Sequence, residues 1–268
     1  LIREERLPKD IKVYFDGMVG EVNAIHTAYP EFLNRNLRNR ILKGDNPFLF
    51  ENFQSVGSHQ ERQEVIEKES TKVWKYKMLK PMSSYLLALV AGNYSFNALA
   101  STSAIPIYNY YEKPDSTLVE PTYRHTKLIF DFFEKEIGYT FPWQNYKQVP
   151  VRDFLHSGME NTSLTIFSNQ FMVDSIGFED FNYVNVNAHE LAHQWFGNLV
   201  TETEAKHHWL HEGFATYYAL LAEREIFGDD YFYYQLYTSA EQLKAISDQG
   251  KGEALLNPKA SSLTFYQK

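Results

Sequence analysis

The order of the hydrophobic patterns is the feature that most constrains how this chain of 268 residues can fold. Patterns typical of strands come first, in KVWKYKM, YLLALVAGNYS, YKQVPVRDF and TSLTIFSNQFMV. Three helical patterns follow, over about residues 180–197, 211–227 and 230–247. Strands followed by helices predict an α+β fold in which the helices carry the functional site.

Local signals set the bounds of two elements. Gly92 and Asn93 are expected to end the second strand, because both residue types favour turns. A further helix is predicted over Thr122–Ile137, where apolar residues recur at helical spacing. Gly138 follows this helix in the position of a C-cap, where glycine adopts the left-handed backbone without steric cost.

The composition excludes several classes of protein. The chain has no cysteine, so disulfides, thiol nucleophiles and cysteine-based zinc sites are excluded, and any metal must bind to nitrogen and oxygen atoms. Its formal net charge is −8 and its basic residues are scattered, so nucleic acid is not an expected partner. No apolar run approaches the roughly 18 residues that span a bilayer, and no transmembrane segment is expected.

The segment VNAHELAHQWFG contains two histidines four residues apart. On a helix, His189 and His193 project from the same face, where two imidazoles can bind one zinc ion. Glu190 is angled to reach the attacking water rather than the metal, as the general base of H-E-x-x-H peptidases does. The alternative is that so short a pattern arises by chance in a chain with nine histidines.

A catalytic zinc ion needs a third protein ligand, and Glu212 in HHWLHEGFATYYALL is the candidate. Eighteen residues separate it from His193, enough for the first helix to end, turn and lead into a second helix. Its apolar neighbours would bury the carboxylate of Glu212, and a metal would offset the cost of that burial. His211 is the rival ligand but should face elsewhere. His207, His208 and His211 are otherwise expected to be ordinary loop and helix-surface histidines.

The two histidines, the glutamate between them and the later glutamate resemble the zinc signature of the gluzincin metallopeptidases, in particular the aminopeptidase N and leukotriene-hydrolase family. The resemblance implies one Zn²⁺ per chain, held by His189, His193 and Glu212. The family usually has Asn at the position of His211, a departure that affects only the surroundings of the metal ligands.

The same resemblance implies a fold and a domain organisation. Residues 96–268 are expected to form a thermolysin-like zinc peptidase domain, in which a mixed sheet is followed by the helices of the site and the C-terminal end is truncated. Residues 1–95 are expected to be a partial N-terminal β-rich region, in which residues 1–70 have no assigned role.

A second motif, HSGMENTSLTIF, stands about thirty residues before His189. An exopeptidase must reject the interior of a peptide, and a fixed anion near the scissile carbonyl does so by binding the free α-ammonium group. Glu160 is a suitable anion, and Gly158 lets the backbone approach the substrate closely. The alternative is that a glycine beside a carboxylate forms a turn that leads into a sheet edge.

The segment Gly158-Met159-Glu160-Asn161 resembles the G-x-M-E-N motif of the same family, although Ser157 replaces the usual first glycine. The resemblance implies that Glu160 binds the amino terminus of the substrate and that the strand edge at Gly158 and Met159 pairs with the substrate backbone. Asn161 is expected to orient Glu160 rather than to touch the substrate.

A tyrosine hydroxyl often stabilises the oxyanion in such sites. The final residues, Tyr266-Gln267-Lys268, resemble the start of the family's Y-x-K-G motif, and this implies that Tyr266 contacts the reaction intermediate. The alternative is that Tyr266, one of 19 tyrosines, packs in the core or on the surface.

The motifs predict a zinc-dependent aminopeptidase that removes the first residue from peptides with a free amino terminus. Three alternatives stay open. A thermolysin-like endopeptidase would share the zinc site but have no use for Glu160. An epoxide hydrolase with peptidase activity belongs to the same family, and the chain could also be an inactive or partly active piece of a larger aminopeptidase.

Overall fold

The structure, a computed structural model, describes residues 71–251 and three strands before them. These strands are β1 (Ile11–Asp16), β2 (Phe53–Gly57) and β3 (Glu61–Lys68). The next strand, β4 (Thr71–Lys77), matches the alternating KVWKYK pattern and lies between β1 and β3 in a three-stranded sheet. It runs parallel to β1 and antiparallel to β3.

A second sheet has six strands in the order β2-β5-β6-β7-β9-β8. Its remaining strands are β5 (Leu89–Ala100), β6 (Pro106–Glu112), β7 (Tyr146–Val151), β8 (Gly158–Met159) and β9 (Leu164–Ser168). The central strands β6, β7 and β9 are parallel, whereas the outer pairs are antiparallel. Both β7 and β9 are buried along their whole length, because elements cover both faces of the sheet there.

The expected end of the second strand at Gly92 and Asn93 is wrong. Strand β5 continues to Ala100, because Gly92 and Asn93 pair with β2 and the following residues pair with β6. The ring of Tyr94 lies over Gly92, where a Cβ atom would come within 2.7 Å of Cε2 of the ring. Gly92 therefore leaves room for the ring of Tyr94 within the strand and does not end the strand.

The residues that the structure describes include six α-helices. They are α1 (Val119–Tyr123), α2 (Thr126–Ile137), α3 (Gly177–Asp180), α4 (Val184–Ala192), α5 (Trp209–Phe227) and α6 (Asp229–Asp248). Short 3-10 turns cover Ser84–Leu86, Lys113–Leu118, Asn169–Phe171 and Ala205–His207.

Two helix predictions need correction at their ends. The helix predicted over Thr122–Ile137 is divided at residues 124–125 into α1 and α2, and its Gly138 C-cap is left-handed with a φ of 70°. The helix predicted over 180–197 covers only Val184–Ala192. The chain turns instead through Gly197, whose φ is 133° and whose N–H donates to the carbonyl of Val200.

Small residues allow the two site-bearing helices to approach each other closely. Ala188 and Ala192 of α4, and Ala215, Ala219 and Ala222 of α5, are all buried in one hydrophobic core. Helices α4 and α5 pack against each other, and α2 packs against both. Because alanine side chains are short, polar side chains next to the shared face can meet across the helix pair.

The mixed sheet and the helices confirm the predicted α+β class. The thermolysin-like detail and the division between residues 95 and 96 stay predictions. Within the described residues, no helix is long and apolar enough to cross a membrane.

Candidate active site

The three predicted metal ligands lie close together at the junction of α4 and α5. Nε2 of His189 lies 3.0 Å from Nε2 of His193 and 3.2 Å from Oε2 of Glu212. Nε2 of His193 lies 3.8 Å from the same oxygen. The i, i+4 spacing on α4 places both rings on one face, and the start of α5 supplies the carboxylate opposite them.

A hydrogen bond favours the metal-binding form of His193. Nδ1 of His193 lies 3.0 Å from the carbonyl oxygen of Phe196. A carbonyl only accepts, so Nδ1 carries the proton and Nε2 keeps a lone pair toward Glu212. Burial lowers the pKa of His193 to about 3, which keeps the ring neutral.

Glu212 provides the negative charge of the cluster. Burial alone would raise the pKa of this carboxyl, but contacts with His189 and His208 outweigh it and hold the pKa well below its ordinary value. Two neutral imidazoles and one carboxylate are a donor set that zinc prefers in catalytic sites, and the three donor atoms lie within 4.8 Å of one another. The residues present therefore fit a zinc ion.

Gly158 makes room for the predicted general base. A Cβ atom at Gly158 would lie 2.7 Å from both Cγ and Cδ of Glu190, closer than such atoms can approach. Glu190 is buried, and its burial raises the pKa of its carboxyl, with further increases from the negative charges of Glu160 and Glu212. Gly158 thus closely approaches Glu190, and its expected close approach to the substrate stays a prediction.

Glu160 lies in the same site as the metal ligands. Single donor atoms of Glu160, Glu190 and His193 lie within 4.8 Å of one another, and all three side chains are buried. Burial raises the pKa of Glu160 to about 7. A buried carboxylate without a bound cation is costly, so this position favours a positively charged ligand group.

Two side chains that the sequence analysis did not select hold the backbone of Glu160. Nδ2 of Asn198 donates to the carbonyl of Glu160 at 2.6 Å, and Nε2 of Gln194 donates to it at 3.2 Å. Gln194 also bonds the carbonyl of Asn161 and accepts from the N–H of Ser163 at 2.8 Å. The turn after α4 thereby fixes residues 160–163 relative to the metal ligands.

The remaining residues of the second motif take distinct positions. Gly158 and Met159 form β8, which ends the strand order of the six-stranded sheet and pairs only with β9 among the described strands. The amide of Asn161 is buried and donates to the carbonyl of Leu86 at 3.3 Å. The side chain of Asn161 therefore faces the protein interior, and its expected role in orienting Glu160 stays a prediction.

The expectation for the downstream histidines is wrong for His211, which is buried in α5, whereas His208 lies in the turn before that helix. His208 lies between Glu202 and Glu212, with its ring nitrogens 3.0 Å and 3.3 Å from their carboxylates. His211 is only 2% exposed and contacts the carboxylate of Glu202. His208 precedes Glu212 by four residues, so helical spacing alone would have placed the two on one face. Tyr266 lies outside the described residues and stays a prediction.

Two family models match the chain. The model of the peptidase family M1 domain matches residues 122–259, slightly more than half of the chain and all of the metal and G-x-M-E-N residues described above. A model of the Beta-Casp domain matches residues 1–119, less than half of the chain.

Curated relatives carry the names of aminopeptidases. Glutamyl aminopeptidase of Bos taurus is 30% identical over 145 residues, which are 53% of this chain and 15% of the relative. Leucine aminopeptidase 2-2 of Meyerozyma guilliermondii is 29% identical over 61% of this chain and 24% of its own length. Aminopeptidase N of Streptomyces lividans is 28% identical over 70% of this chain and 24% of its own length. The chain thus spans at most about a quarter of the length of these relatives.

Proposed function

This chain belongs to peptidase family M1, and on that premise we propose that it is a zinc-dependent aminopeptidase that hydrolyses the first peptide bond of its substrates. The proposal includes a thermolysin-like arrangement of sheet and helices. It also includes one zinc ion at the cluster of His189, His193 and Glu212, and peptides with a free amino terminus, rather than nucleic acid, as partners.

The position of Glu160 beside the metal ligands carries the proposal. Its carboxylate shares a site with Glu190 and His193, all within 4.8 Å. In an amino acid the α-nitrogen and the carbonyl carbon are only about 2.5 Å apart, as two bonds of about 1.5 Å require. A substrate whose ammonium group binds Glu160 therefore has its first carbonyl, and no later one, next to Glu190.

Glu190 is the proposed general base. A zinc ion held by His189, His193 and Glu212 would supply a Lewis acid that polarises a carbonyl and makes water more acidic. Glu190 takes a proton from the attacking water and returns one to the leaving amine. Its burial beside Gly158 holds the carboxylate in one place, and its raised pKa suits a group that both accepts and donates a proton.

Glu160 and the sheet edge orient the substrate. The ammonium group of the substrate would keep Glu160 ionised and offset the cost of burying its charge. The edge of β8 offers backbone groups to an extended peptide, as in β-strand addition. Tyr266 is proposed as the oxyanion stabiliser on the family resemblance alone.

The test compares two peptides of one sequence, with a free and an acetylated amino terminus, on zinc-loaded protein. We expect release of the first residue from the free peptide and no cleavage of the acetylated one. Cleavage of both peptides would contradict the aminopeptidase proposal and support an endopeptidase.

A matched pair of variants connects the result to Glu160. Glu160→Gln should slow cleavage of the free peptide by about a hundredfold, because one partner of a buried charge pair is lost. Glu179→Gln removes an exposed carboxylate on α3 and should leave the rate unchanged. Equal rates in the two variants would rule out the role of Glu160.

A further inference from the structure

Beside the first metal site lies a second group of donor side chains, formed by Glu202, His208 and His211 and called here the Glu202 cluster. One donor atom of each residue lies within 4.8 Å of the others. The cluster is built like the first site, with two histidines of one helical region and a carboxylate from another segment. The proposed peptidase mechanism assigns it no direct contact with the substrate.

The first turn of α5 aligns the cluster. His208 precedes α5, and His211 and Glu212 follow it by three and four residues, so all three share one face of the helix. The rings of His208 and His211 lie 5.1 Å apart, similar to the 4.6 Å between the rings of the first site. Glu202 reaches them from the loop before the helix, with Oε1 at 3.0 Å from Nδ1 of His208.

The hydrogen bonds around His211 leave polar atoms without partners. Its Nε2 accepts the N–H of Glu202 at 3.1 Å and also contacts Oε2 of the same residue. In this arrangement two acceptors face each other, and two atoms are buried without a hydrogen-bond partner, Oε2 of Glu202 and Nδ1 of His211. If Nε2 carried the proton instead, the N–H of Glu202 and the lone pair of Nδ1 would lack partners.

A cation between these atoms would resolve the conflict. It would accept lone pairs from Oε2 of Glu202 and Nε2 of His211, and from Nδ1 of His208, which lies 3.0 Å from Oε1 of the same carboxylate. The backbone N–H of Glu202 would exchange its contact with Nε2 for water, since the cluster keeps an exposed edge at His208, whose side chain is 20% exposed. Two imidazoles and a carboxylate suit a divalent transition metal.

Glu212 connects the two sites. Its Oε2 faces His189 and His193, whereas its Oε1 lies 3.3 Å from Nε2 of His208. A metal-bound histidine commonly donates its other ring N–H to a carboxylate. With a cation at Nδ1, His208 would donate from Nε2 to Glu212 and so hold this ligand of the first site in place.

We propose that Glu202, His208 and His211 form a second binding site for a divalent transition-metal ion such as Zn²⁺. It is linked through His208 to the Glu212 ligand of the first site. The native chain then binds two zinc ions, one more than the family resemblance implies. This inference does not depend on the peptidase activity, because it concerns metal binding alone.

Zinc stoichiometry tests the proposal. Tag-free protein, stripped with a chelator and dialysed against buffered free Zn²⁺, is analysed for zinc and protein content. We expect two ions per native chain and one in Glu202→Gln. The control Glu204→Gln changes an exposed carboxylate of the same loop, which pairs with Lys206, and should keep both ions. A zinc content in Glu202→Gln equal to that of the native chain, whether one ion or two, would overturn the proposal.

A variant of the first site provides an independent measurement, should Glu202→Gln fail to fold. The double variant His189→Gln, His193→Gln removes two ligands of the first site and leaves the Glu202 cluster intact. We expect it to retain one zinc ion per chain, and retention of none would overturn the proposal. Peptidase activity is not the readout, so the proposed function and the second site can fail separately.

Discussion

At the scale of single residues, Gly158 and Glu190 depend on each other. A methyl group at Gly158 would lie 2.7 Å from Cγ and Cδ of Glu190, so Gly158→Ala must displace the proposed base. A misplacement of about 1 Å can lower a rate by roughly a hundredfold. We therefore expect kcat to fall by that order while zinc content stays unchanged, measured by peptide turnover and metal analysis.

Gly177→Ala is the matched control for this substitution. A Cβ atom at Gly177, the first residue of α3, would meet no atom closer than 3.4 Å. The variant should keep normal turnover. Normal turnover in Gly158→Ala as well would contradict the position of Glu190.

Lys147 of β7 gives a residue-scale prediction for stability. Its side chain is buried, Nζ donates to Oδ1 of Asn145 at 2.6 Å, and burial lowers its pKa from 10.5 to about 7. Below pH 7 the lysine is charged in both the folded and the unfolded protein. Between about pH 7 and 10.5 the unfolded protein holds a proton that the folded protein has lost, so this group makes stability rise with pH.

The measurement compares native protein with Lys147→Met by urea unfolding at pH 7 and pH 10. The contributions of other titrating groups then cancel in the difference between the two proteins. The free energy of unfolding of the native protein should rise relative to the variant by at most about 4 kcal/mol between pH 7 and pH 10, at about 1.4 kcal/mol per pH unit. A constant difference between the two proteins would show that Lys147 titrates normally.

At the scale of elements, Gln194 joins the end of α4 to the segment that carries Glu160. Its side chain satisfies the N–H of Ser163 and the carbonyls of residues 160 and 161, and it is fully buried. Gln194→Met fills a similar volume but leaves the N–H of Ser163 unpaired, at about 1–3 kcal/mol, and removes one of the two donors to each carbonyl. We expect the free energy of unfolding to fall by about 3 kcal/mol and KM for free peptides to rise.

Gln170→Met is the control for this prediction, because the side chain of Gln170 is exposed. It should change neither stability nor KM. A purely structural role of Gln194 would lower stability but leave KM of the folded fraction unchanged, and this outcome would separate Gln194 from substrate positioning.

At the scale of the whole molecule, a metal at the first site would join α4 to α5. Any ligand that binds only the folded protein stabilises it, by about 1.4 kcal/mol for each tenfold rise in free ligand above its Kd. Chelation should therefore lower Tm, and added Zn²⁺ should restore it. In the double variant His189→Gln, His193→Gln, the Tm should change less on chelation and on addition of Zn²⁺. A change in Tm equal to that of the native protein would place the stabilising ion elsewhere.

Sequence patterns predicted those features that depend on near neighbours. His189 and His193 are one helical turn apart, so their shared face follows from spacing, and most strand and helix positions follow from hydrophobic periodicity. Such patterns could not predict the contacts that Gln194 and Gly158 make in the structure. Gln194 bonds residues more than thirty positions away, and the collision at Gly158 involves Glu190 at a similar separation.

The sequence by itself determined the α+β class, the candidate metal ligands and the family resemblance, because periodicity and motif spacing are local properties of a chain. Only the tertiary structure decided that β5 runs past Gly92, that β8 ends the strand order beside the site, and that His208 and His211 face Glu202. These outcomes depend on which distant segments pack together. Spacing along the chain does not specify those contacts, whereas burial and hydrogen bonding between segments do.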